Sequence, residues 1–399
     1  MTDSTSGTPG TARGMNLRVT FWGVQGSCPI FPTQAEVDQY AKQVAAYTVE
    51  RTLQDIADQL ERGQCTPQSL RALASQTAAA EYQQKFGLPI LPIYGGDTTC
   101  IEVTTCEGNV LLFDLGTGVR DFSSRLTAGD ENREGRALHV FASHEHLDHR
   151  NGLPFARFCF EKNNPYTVHL YGTRQVLTAL DERYGIYSHQ VTRATYVDDP
   201  LDYRVISANF TGTEIRTSSS PLPSGGFAWP IWQVGEPIHI NATTITPFEV
   251  YHGITQCLAY KVQHGSSSFV FCTDHELRHG PDPSDPRQIR SIAAERRLLE
   301  YCQNVDVAYF DGQYFMDEYT GAAGIGTGVG VPRLDWGHSC IEDVIARVKQ
   351  CNIRRTFIGH HDPERLWGQR IEIDRELDVI CKGTPYEIHL AKAGATINL

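Results

Sequence analysis

Apolar and polar positions alternate at the strand period in several short runs of the chain, and each run predicts a β-strand. The first run covers residues 17–21 and stops at Gly23. The others cover residues 101–105, 110–113, 138–142, 168–171, 245–250, 258–262, 269–272, 305–310 and 355–358, with a last strand near Ile388. A polar turn at 264–267 joins two of these runs, which are therefore predicted to form a hairpin.

After the first predicted strand, the apolar residues follow the period of a helix. Thr33 and Glu36 have the spacing of a capping box, and apolar residues then recur at helical intervals. A second helix is predicted over residues 66–87. We interpret about 33–87 as a helical insertion that lies beside a functional site or at a subunit contact.

The rest of the chain completes an α/β pattern. Helices are predicted at about 341–349 and 371–379, and a polar, Pro- and Gly-rich segment suggests a second insertion at about 213–235. Residues 1–14 offer almost nothing to bury and are predicted to be a disordered tail. We therefore predict a single domain over 15–399, with two mixed β-sheets packed face to face and helices outside.

Composition narrows the class of protein. Of the 399 residues, 40% are apolar and 21% are charged, as in a soluble globular protein. The net charge of −12 argues against a surface that grips a nucleic-acid backbone. Eleven cysteines without a CxxC spacing suit reduced thiols and predict a cytoplasmic location. No apolar run reaches the roughly 18 residues of a membrane span, so no membrane partner is expected.

The densest chemical signal is the sequence SHEHLDH at residues 143–149, directly after a predicted strand. His144, His146, Asp148 and His149 place three imidazoles and a carboxylate within six residues. Neutral imidazole and carboxylate are ligands for zinc or a similar first-row metal. This density favours a metal site over a solvated polar loop.

The HxHxDH pattern at a strand end is the signature of the metallo-β-lactamase-fold hydrolases. Other motifs of the chain resemble the remaining motifs of that family and follow one another in the same order. Asp114, in FDLGTG, resembles the early Asp that braces the histidine loop. His252 resembles the third histidine ligand, and Asp274, in FCTD, resembles the carboxylate that bridges two metals. His360 resembles the last ligand, with the adjacent His361 as the alternative.

This resemblance covers about residues 16–395 apart from the insertions. It implies a four-layer αββα sandwich of two mixed sheets and two divalent metal ions. One ion would take His144, His146 and His252, the other would take Asp148, His149 and His360, and Asp274 would lie between them. We expect the ions to lie about 3.5–4 Å apart and to share a bridging hydroxide. Zinc is the first expectation from the His-rich set, and Mn or Fe also fits such mixed ligands.

Five shorter motifs resemble the branch of the family that contains cyclic-nucleotide and other small phosphodiesterases and is related to the tRNA 3′-end nucleases. They are WGVQGS at 22–27, GGDTTC at 95–100, DGQY at 311–314, DWGHS at 335–339 and HHDP at 360–363. Gln25, Asp97 and His275 depart from that branch, where Arg, Asn and Thr are usual.

The predicted function is therefore a dinuclear metal-dependent phosphodiesterase that acts on a small or cyclic nucleotide. Asp148 and His338 are the predicted catalytic residues. His338, in the GHS turn, is the candidate proton donor or phosphate clamp. A small phosphodiester is the predicted partner, and a homodimer through one of the insertions is kept as a hypothesis.

Other functions are weighed against this one. An RNA-processing nuclease of the same fold would want a Lys/Arg-rich arm, which is not found between the predicted strands. A di-iron oxidoreductase of the fold would carry Glu in place of His146. A binding protein without catalysis would normally have lost a ligand, and all seven are present. A hydrolase of non-phosphate substrates in the same fold stays open.

Overall fold

The computed structural model describes residues 16–75, 94–128, 137–161, 165–187, 193–194, 204–205, 208–217, 220 and 228–399. The predicted tail at 1–14 lies outside the described residues, as does the end of the second predicted helix, from 76 to 87. Within the described part of the chain, no helix combines the length and the apolarity that a membrane span needs.

The described chain alternates strands with helices, and the strands build the framework. In chain order they are β1 (Leu17–Gly23), β2 (Cys100–Thr105), β3 (Val110–Phe113), β4 (Ala137–Phe141), β5 (Thr167–Gly172), β6 (Arg193–Ala194), β7 (Arg204–Val205), β8 (Asn209–Arg216), β9 (Ile231–Gln233), β10 (Ile238–Ile240), β11 (Thr243–His252), β12 (Thr255–His264), β13 (Ser267–Cys272), β14 (Val307–Asp311), β15 (Arg355–Gly359), β16 (Glu387–Leu390) and β17 (Thr396–Asn398).

The α-helices of the described residues lie between these strands. They are α1 (Gln34–Glu61), α2 (Pro67–Leu73), α3 (Val119–Ala128), α4 (Arg174–Tyr184), α5 (Pro286–Cys302), α6 (Met316–Thr320), α7 (Ile341–Cys351) and α8 (Trp367–Cys381). The sequence did not predict α3, α4, α5 or α6. In α5 the buried face itself carries Gln288, Ser291 and Glu295, so no apolar stripe marks the helix. Its start nevertheless follows the usual rules, since Asp285 caps the helix and Pro286 occupies its first turn.

Two mixed β-sheets form the framework. The first has the strand order β17-β1-β2-β3-β4-β5-β8-β9, and the second has the order β10-β11-β12-β13-β14-β15-β16. Each sheet combines antiparallel and parallel pairs. In the first sheet, for example, β1 pairs antiparallel with β2, and β3 pairs parallel with β4. The predicted hairpin is confirmed, because β12 and β13 pair antiparallel with Tyr260 opposite Phe271. The predicted α/β class with two mixed sheets is confirmed as well.

A buried apolar layer joins the two sheets. Phe113 of β3 packs against Phe271 of β13 with ring centroids 5.3 Å apart, and Phe21 of β1 packs against Tyr309 of β14 at 5.7 Å. Helix α5 packs on β11 at the outer face of the second sheet. Aromatic pairs of this kind stabilise a core beyond the area they bury. The packing therefore fixes the positions of the strand ends that carry the candidate site.

The chain divides into two compact units, and the smaller one is Phe31–Ile93. The insertion predicted at 33–87 falls inside this unit. Its first helix, α1, begins with the predicted capping box: the Glu36 N–H donates to the Thr33 hydroxyl at 3.3 Å, and the Thr33 N–H donates to the Glu36 carboxylate at 2.9 Å. These reciprocal bonds satisfy two backbone donors that the helix itself leaves without partners.

The second predicted insertion, at 213–235, contains strand residues near both of its ends. Its first residues belong to β8, which pairs parallel with β5, and β9 pairs parallel with β8. Both ends of the segment are therefore part of the first sheet. The polar and Pro/Gly-rich composition of this stretch hid the short strands at its borders, and residues 218–219 and 221–227 lie outside the described residues.

Deletion of the helical unit tests whether the larger unit folds alone. The Ile30 N–H donates to the Gly96 carbonyl at 2.9 Å, so the two ends of the larger unit lie side by side. A short Gly/Ser linker in place of residues 31–93 should close this loop at a small entropic cost. We expect a cooperative thermal transition by circular dichroism and unchanged metal content by elemental analysis. Loss of both would place the helical unit in the folding core.

Candidate metal centre

The predicted ligands lie where strands of both sheets end. The histidine loop follows β4 of the first sheet, His252 is the last residue of β11, and Asp274 and His360 follow β13 and β15 of the second sheet. The side chains of the seven residues meet in two adjoining groups. The first group is His144, His146, His252 and Asp274, and the second is Asp148, His149 and His360.

Asp114 braces the histidine loop from behind. One oxygen of its buried carboxylate accepts the Ser143 N–H at 2.7 Å. The other oxygen accepts the Ser143 hydroxyl at 2.7 Å and His149 Nδ1–H at 2.7 Å. Asp114 follows β3 with a left-handed backbone, φ 60°. Because Nδ1 of His149 carries the proton, Nε2 is left to face an ion.

Asp274 lies between the two groups. Its Oδ1 is 3.3 Å from His149 Nε2 and 3.2 Å from His360 Nε2. Its Oδ2 is 3.6 Å from His144 Nε2 and 3.5 Å from His252 Nε2. Each oxygen therefore faces one group, which is the arrangement that a carboxylate needs to bridge two ions.

Asp148 and His146 complete the two groups. Asp148 Oδ2 is 3.2 Å from His149 Nε2 and 3.1 Å from His360 Nε2, and it accepts the Ser27 N–H at 2.8 Å. His146 Nδ1 is 3.1 Å from His252 Nε2, and the His146 side chain is exposed. The exposed position of His146 leaves the first group open to solvent.

The chemistry of these side chains fits divalent metal ions. Nε2 of His144 and Nε2 of His149 are buried without a hydrogen-bond partner in the described structure. Such orphaned atoms are costly, and an ion would satisfy both. Burial lowers the pKa of His252 to about 4, and burial together with the neighbouring His149 holds the pKa of His144 well below its ordinary value. Both imidazoles are therefore neutral at pH 7, which is the form that binds metal.

The structure distinguishes His360 from His361. His360 has a left-handed backbone, φ 52°, and its Nε2 faces Asp148 and Asp274. The ring of His361 turns away, and its Nε2 donates to the Ala391 carbonyl at 3.1 Å. A Cβ atom added to Gly26 would lie 2.4 Å from His360 Nδ1, so glycine is required for the approach of these two segments.

His338 lies beside both groups of ligands. Its Nδ1 donates to Asp311 Oδ2 at 3.2 Å and lies 3.9 Å from Asp274 Oδ2. Its ring stacks on His360 with centroids 4.8 Å apart. Burial lowers the pKa of His338, but the hydrogen bond to Asp311 and the charges of Asp274 and Asp311 outweigh it, so the pKa is raised above its ordinary value.

The side chains of the three departures from the phosphodiesterase motifs bond to residues outside the seven ligands. Gln25 is buried and accepts a hydrogen bond from Arg370 at 2.9 Å. His275 is buried and its Nε2 lies 2.8 Å from the Glu295 carboxylate. Asp97 pairs with Arg120 at 3.5 Å. These residues therefore differ from the family pattern without replacing a ligand.

Sequence reasoning missed two carboxylates that support the site. Asp311 lies in the DGQY motif, to which the sequence alone assigns no role, and it accepts both His338 Nδ1–H and the Ser339 N–H. Glu276 lies two residues after Asp274, and its buried carboxylate accepts the N–H groups of Asp335 and Gly337. Only the three-dimensional structure brings these partners together.

Fold and site together define a metal-dependent hydrolase of the metallo-β-lactamase fold. Residues 109–361, more than half of the chain, match the family model described as the Beta-lactamase superfamily domain, and the chain belongs to this family. Ribonuclease Z of Staphylococcus aureus (strain MRSA252) is 24% identical over 261 residues, which cover 64% of this chain and 78% of that protein.

Solved structures share the fold over most of the chain. A diphosphatase of the PhnP family is 13% identical with a TM-score of 0.52, over 96% of this chain and 98% of that one. Yeast PDE1 is 12% identical with a TM-score of 0.52, over 96% of this chain and 100% of that one. Zinc-bound PqqB from Methylobacterium extorquens is 13% identical with a TM-score of 0.54, over 96% of this chain and 100% of that one.

Asp274→Ala tests whether this carboxylate serves both groups. Because Asp274 faces both, its loss should lower metal content from about two ions per chain to less than one. His146→Ala is the matched control: His146 belongs to one group only, so this variant should lose one ion. Elemental analysis of the desalted proteins measures both. Wild-type metal content in Asp274→Ala would show that the bridge has been misplaced.

Proposed function

We propose that this protein is a metal-dependent phosphodiesterase that hydrolyses a small or cyclic nucleotide. The observation that carries the proposal is Asp274, which faces a different ligand group with each oxygen, together with His338 beside both groups. That arrangement suits two ions on either side of one phosphate. Zinc is the first candidate, and manganese or iron fits the same nitrogen and oxygen ligands.

The ions, when bound, would neutralise the charge of the phosphate and lower the pKa of an attacking water to about 7. The protein's own residues prepare the site for this. Asp114 keeps the proton of His149 on Nδ1, and each oxygen of Asp274 faces one of the two histidine groups. The Ser27 N–H orients Asp148 by donating to its carboxylate. The ligands are thus aligned before the substrate arrives.

His338 is the proposed proton donor to the leaving oxygen. Asp311 accepts the proton on His338 Nδ1, which leaves Nε2 to face the substrate. An alkoxide leaving group is a strong base and needs a proton as the bond to phosphorus breaks. No residue has to form a covalent intermediate, since water is the nucleophile.

The comparisons and the charge of the protein support a phosphate substrate of small size. A diphosphatase and yeast PDE1 share the fold, and ribonuclease Z is a distant relative in sequence. The net charge of −12 disfavours long RNA, whose binding relies on many phosphate contacts. The similarity to ribonuclease Z keeps an RNA-processing nuclease as the second candidate.

A substrate screen with and without metal tests the proposed function. The metal-loaded protein should hydrolyse a cyclic mononucleotide and bis(p-nitrophenyl) phosphate, and should leave pre-tRNA intact. Removal of the metal by chelation should abolish turnover, since the nucleophile and the phosphate charge both depend on it. Trimming of pre-tRNA without turnover of cyclic nucleotides would favour the nuclease. Full turnover by protein with less than about a tenth of an equivalent of metal would contradict the two-ion mechanism.

His338→Ala tests the proton donor. A general acid contributes roughly 10²- to 10⁴-fold, and less when the leaving group is already a weak base. We expect the variant to keep its metal and to lose about 10²-fold or more on a ribose-alkoxide leaving group, but much less on p-nitrophenolate. Comparison of kcat on the two substrates measures the difference. Equal losses would indicate phosphate positioning, and no loss on either would remove His338 from the mechanism.

A further inference from the structure

The carboxylate of Glu276 is fully buried two residues after Asp274, and it accepts three hydrogen bonds. One oxygen accepts the Asp335 N–H at 2.9 Å and the Tyr319 hydroxyl at 2.5 Å. The other oxygen accepts the Gly337 N–H at 2.9 Å. Glu276 thus connects the end of β13, which carries Asp274, to the turn that precedes α7.

That turn has an unusual backbone. Asp335 and Gly337 are both left-handed, with φ values of 70° and 89°. The Asp335 carboxylate accepts two further bonds from Arg278, at 2.6 Å and 3.2 Å. A turn without a regular hydrogen-bond ladder keeps its shape only through such contacts. The two N–H groups that Glu276 holds lie on either side of Trp336.

The turn touches the metal centre at two points. The Gly337 carbonyl accepts His252 Nδ1–H at 2.9 Å, which leaves His252 Nε2 to face the first ligand group. The next residue is His338, beside Asp311 and Asp274. The approach is close, because a Cβ atom on Gly337 would lie 2.0 Å from His252 Nδ1.

We propose that Glu276 is a positioning residue for both of these contacts. By holding the turn at 335–338, it sets the tautomer of His252 through the Gly337 carbonyl and sets the position of His338. The part that concerns His338 rests on the proposed function, whereas the part that concerns His252 depends only on metal binding.

The geometry requires a carboxylate at this position. A carboxylate accepts on both oxygens, and Glu276 uses them for three donors. Glutamine has nearly the same shape but only one acceptor oxygen, so its NH₂ group would face a donor N–H. The turn would then have to shift, or leave a buried N–H without a partner.

Metal affinity measured by competition with a chelator tests the proposal without any substrate. Loss of a group that orients a metal-binding histidine typically costs about 10- to 100-fold in affinity. We expect Glu276→Gln to lose this factor at one of the two ions. Asp306→Asn is the matched control, because Asp306 also accepts a backbone N–H, from Ser268 at 2.9 Å, but lies at the start of β14, at the opposite end from Asp311. The control should bind metal like the wild type.

A second readout is kcat, measured at saturating metal on two substrates that differ in their leaving group. In Glu276→Gln, the kcat loss should be larger on a ribose-alkoxide substrate than on p-nitrophenolate, as for His338→Ala. A general loss of stability would lower both rates equally. If Glu276→Gln fails to fold, Tyr319→Phe removes one of the three donors to the Glu276 carboxylate without touching His252, and it should weaken metal binding to a smaller degree. Wild-type metal affinity in this folded variant would count against the positioning role.

Two outcomes separate failure of this proposal from failure of the proposed function. Folded Glu276→Gln with wild-type metal affinity and wild-type leaving-group dependence would overturn the positioning role. If no phosphodiester is hydrolysed by the wild-type protein, the proposed function fails, but a selective loss of metal affinity in Glu276→Gln would still support the link to His252.

Discussion

The carboxylate of Asp274 is the group on which the site depends, because it is buried and faces imidazoles from both sheets. A buried carboxylate is costly unless positive charge compensates it. His144 and His252 cannot supply that charge at pH 7, since burial keeps both imidazoles neutral. His149 can supply it, because burial lowers its pKa but the charges of Asp148, Asp274 and Asp114 outweigh burial and raise that pKa well above its ordinary value. A metal ion bound here would replace the proton as the compensating charge. The packing of the two sheets brings strand ends together, so that four histidines, namely His144, His149, His252 and His360, lie 3.2–3.6 Å from this one carboxylate.

A second layer of carboxylates holds the ligands in place. Asp114, Asp311 and Glu276 each accept a backbone N–H from a loop of the site and a further hydrogen bond from a side chain. Each carboxylate therefore connects a loop of the site to one ring, which is that of His149, His338 or Tyr319. Histidines that are held in one tautomer lose little freedom when an ion binds, so this layer favours a preorganised metal centre.

The sequence identified the residues that the structure brings together, because apolar runs mark the strands and the ligands follow where those runs end. It could not separate His360 from His361, since both follow β15 and only the backbone at His360 decides which ring faces Asp274. It also missed Glu276, whose backbone partners lie 59 and 61 residues away in the chain. Such long-range contacts leave no local pattern, whereas α5 is missed for a local reason, because polar residues lie on its buried face.

The left-handed backbone at Asp114, Asp274 and His360 limits how this site can evolve. Residues other than glycine rarely adopt that conformation, and Asp tolerates it better than most. Each position therefore has two requirements at once, one on the backbone and one on the side chain. Glycine would relieve the backbone but remove the functional group, so few single substitutions satisfy both. Mutations at these three positions should be strongly epistatic, and new specificities in this fold are more accessible through the loops between strands.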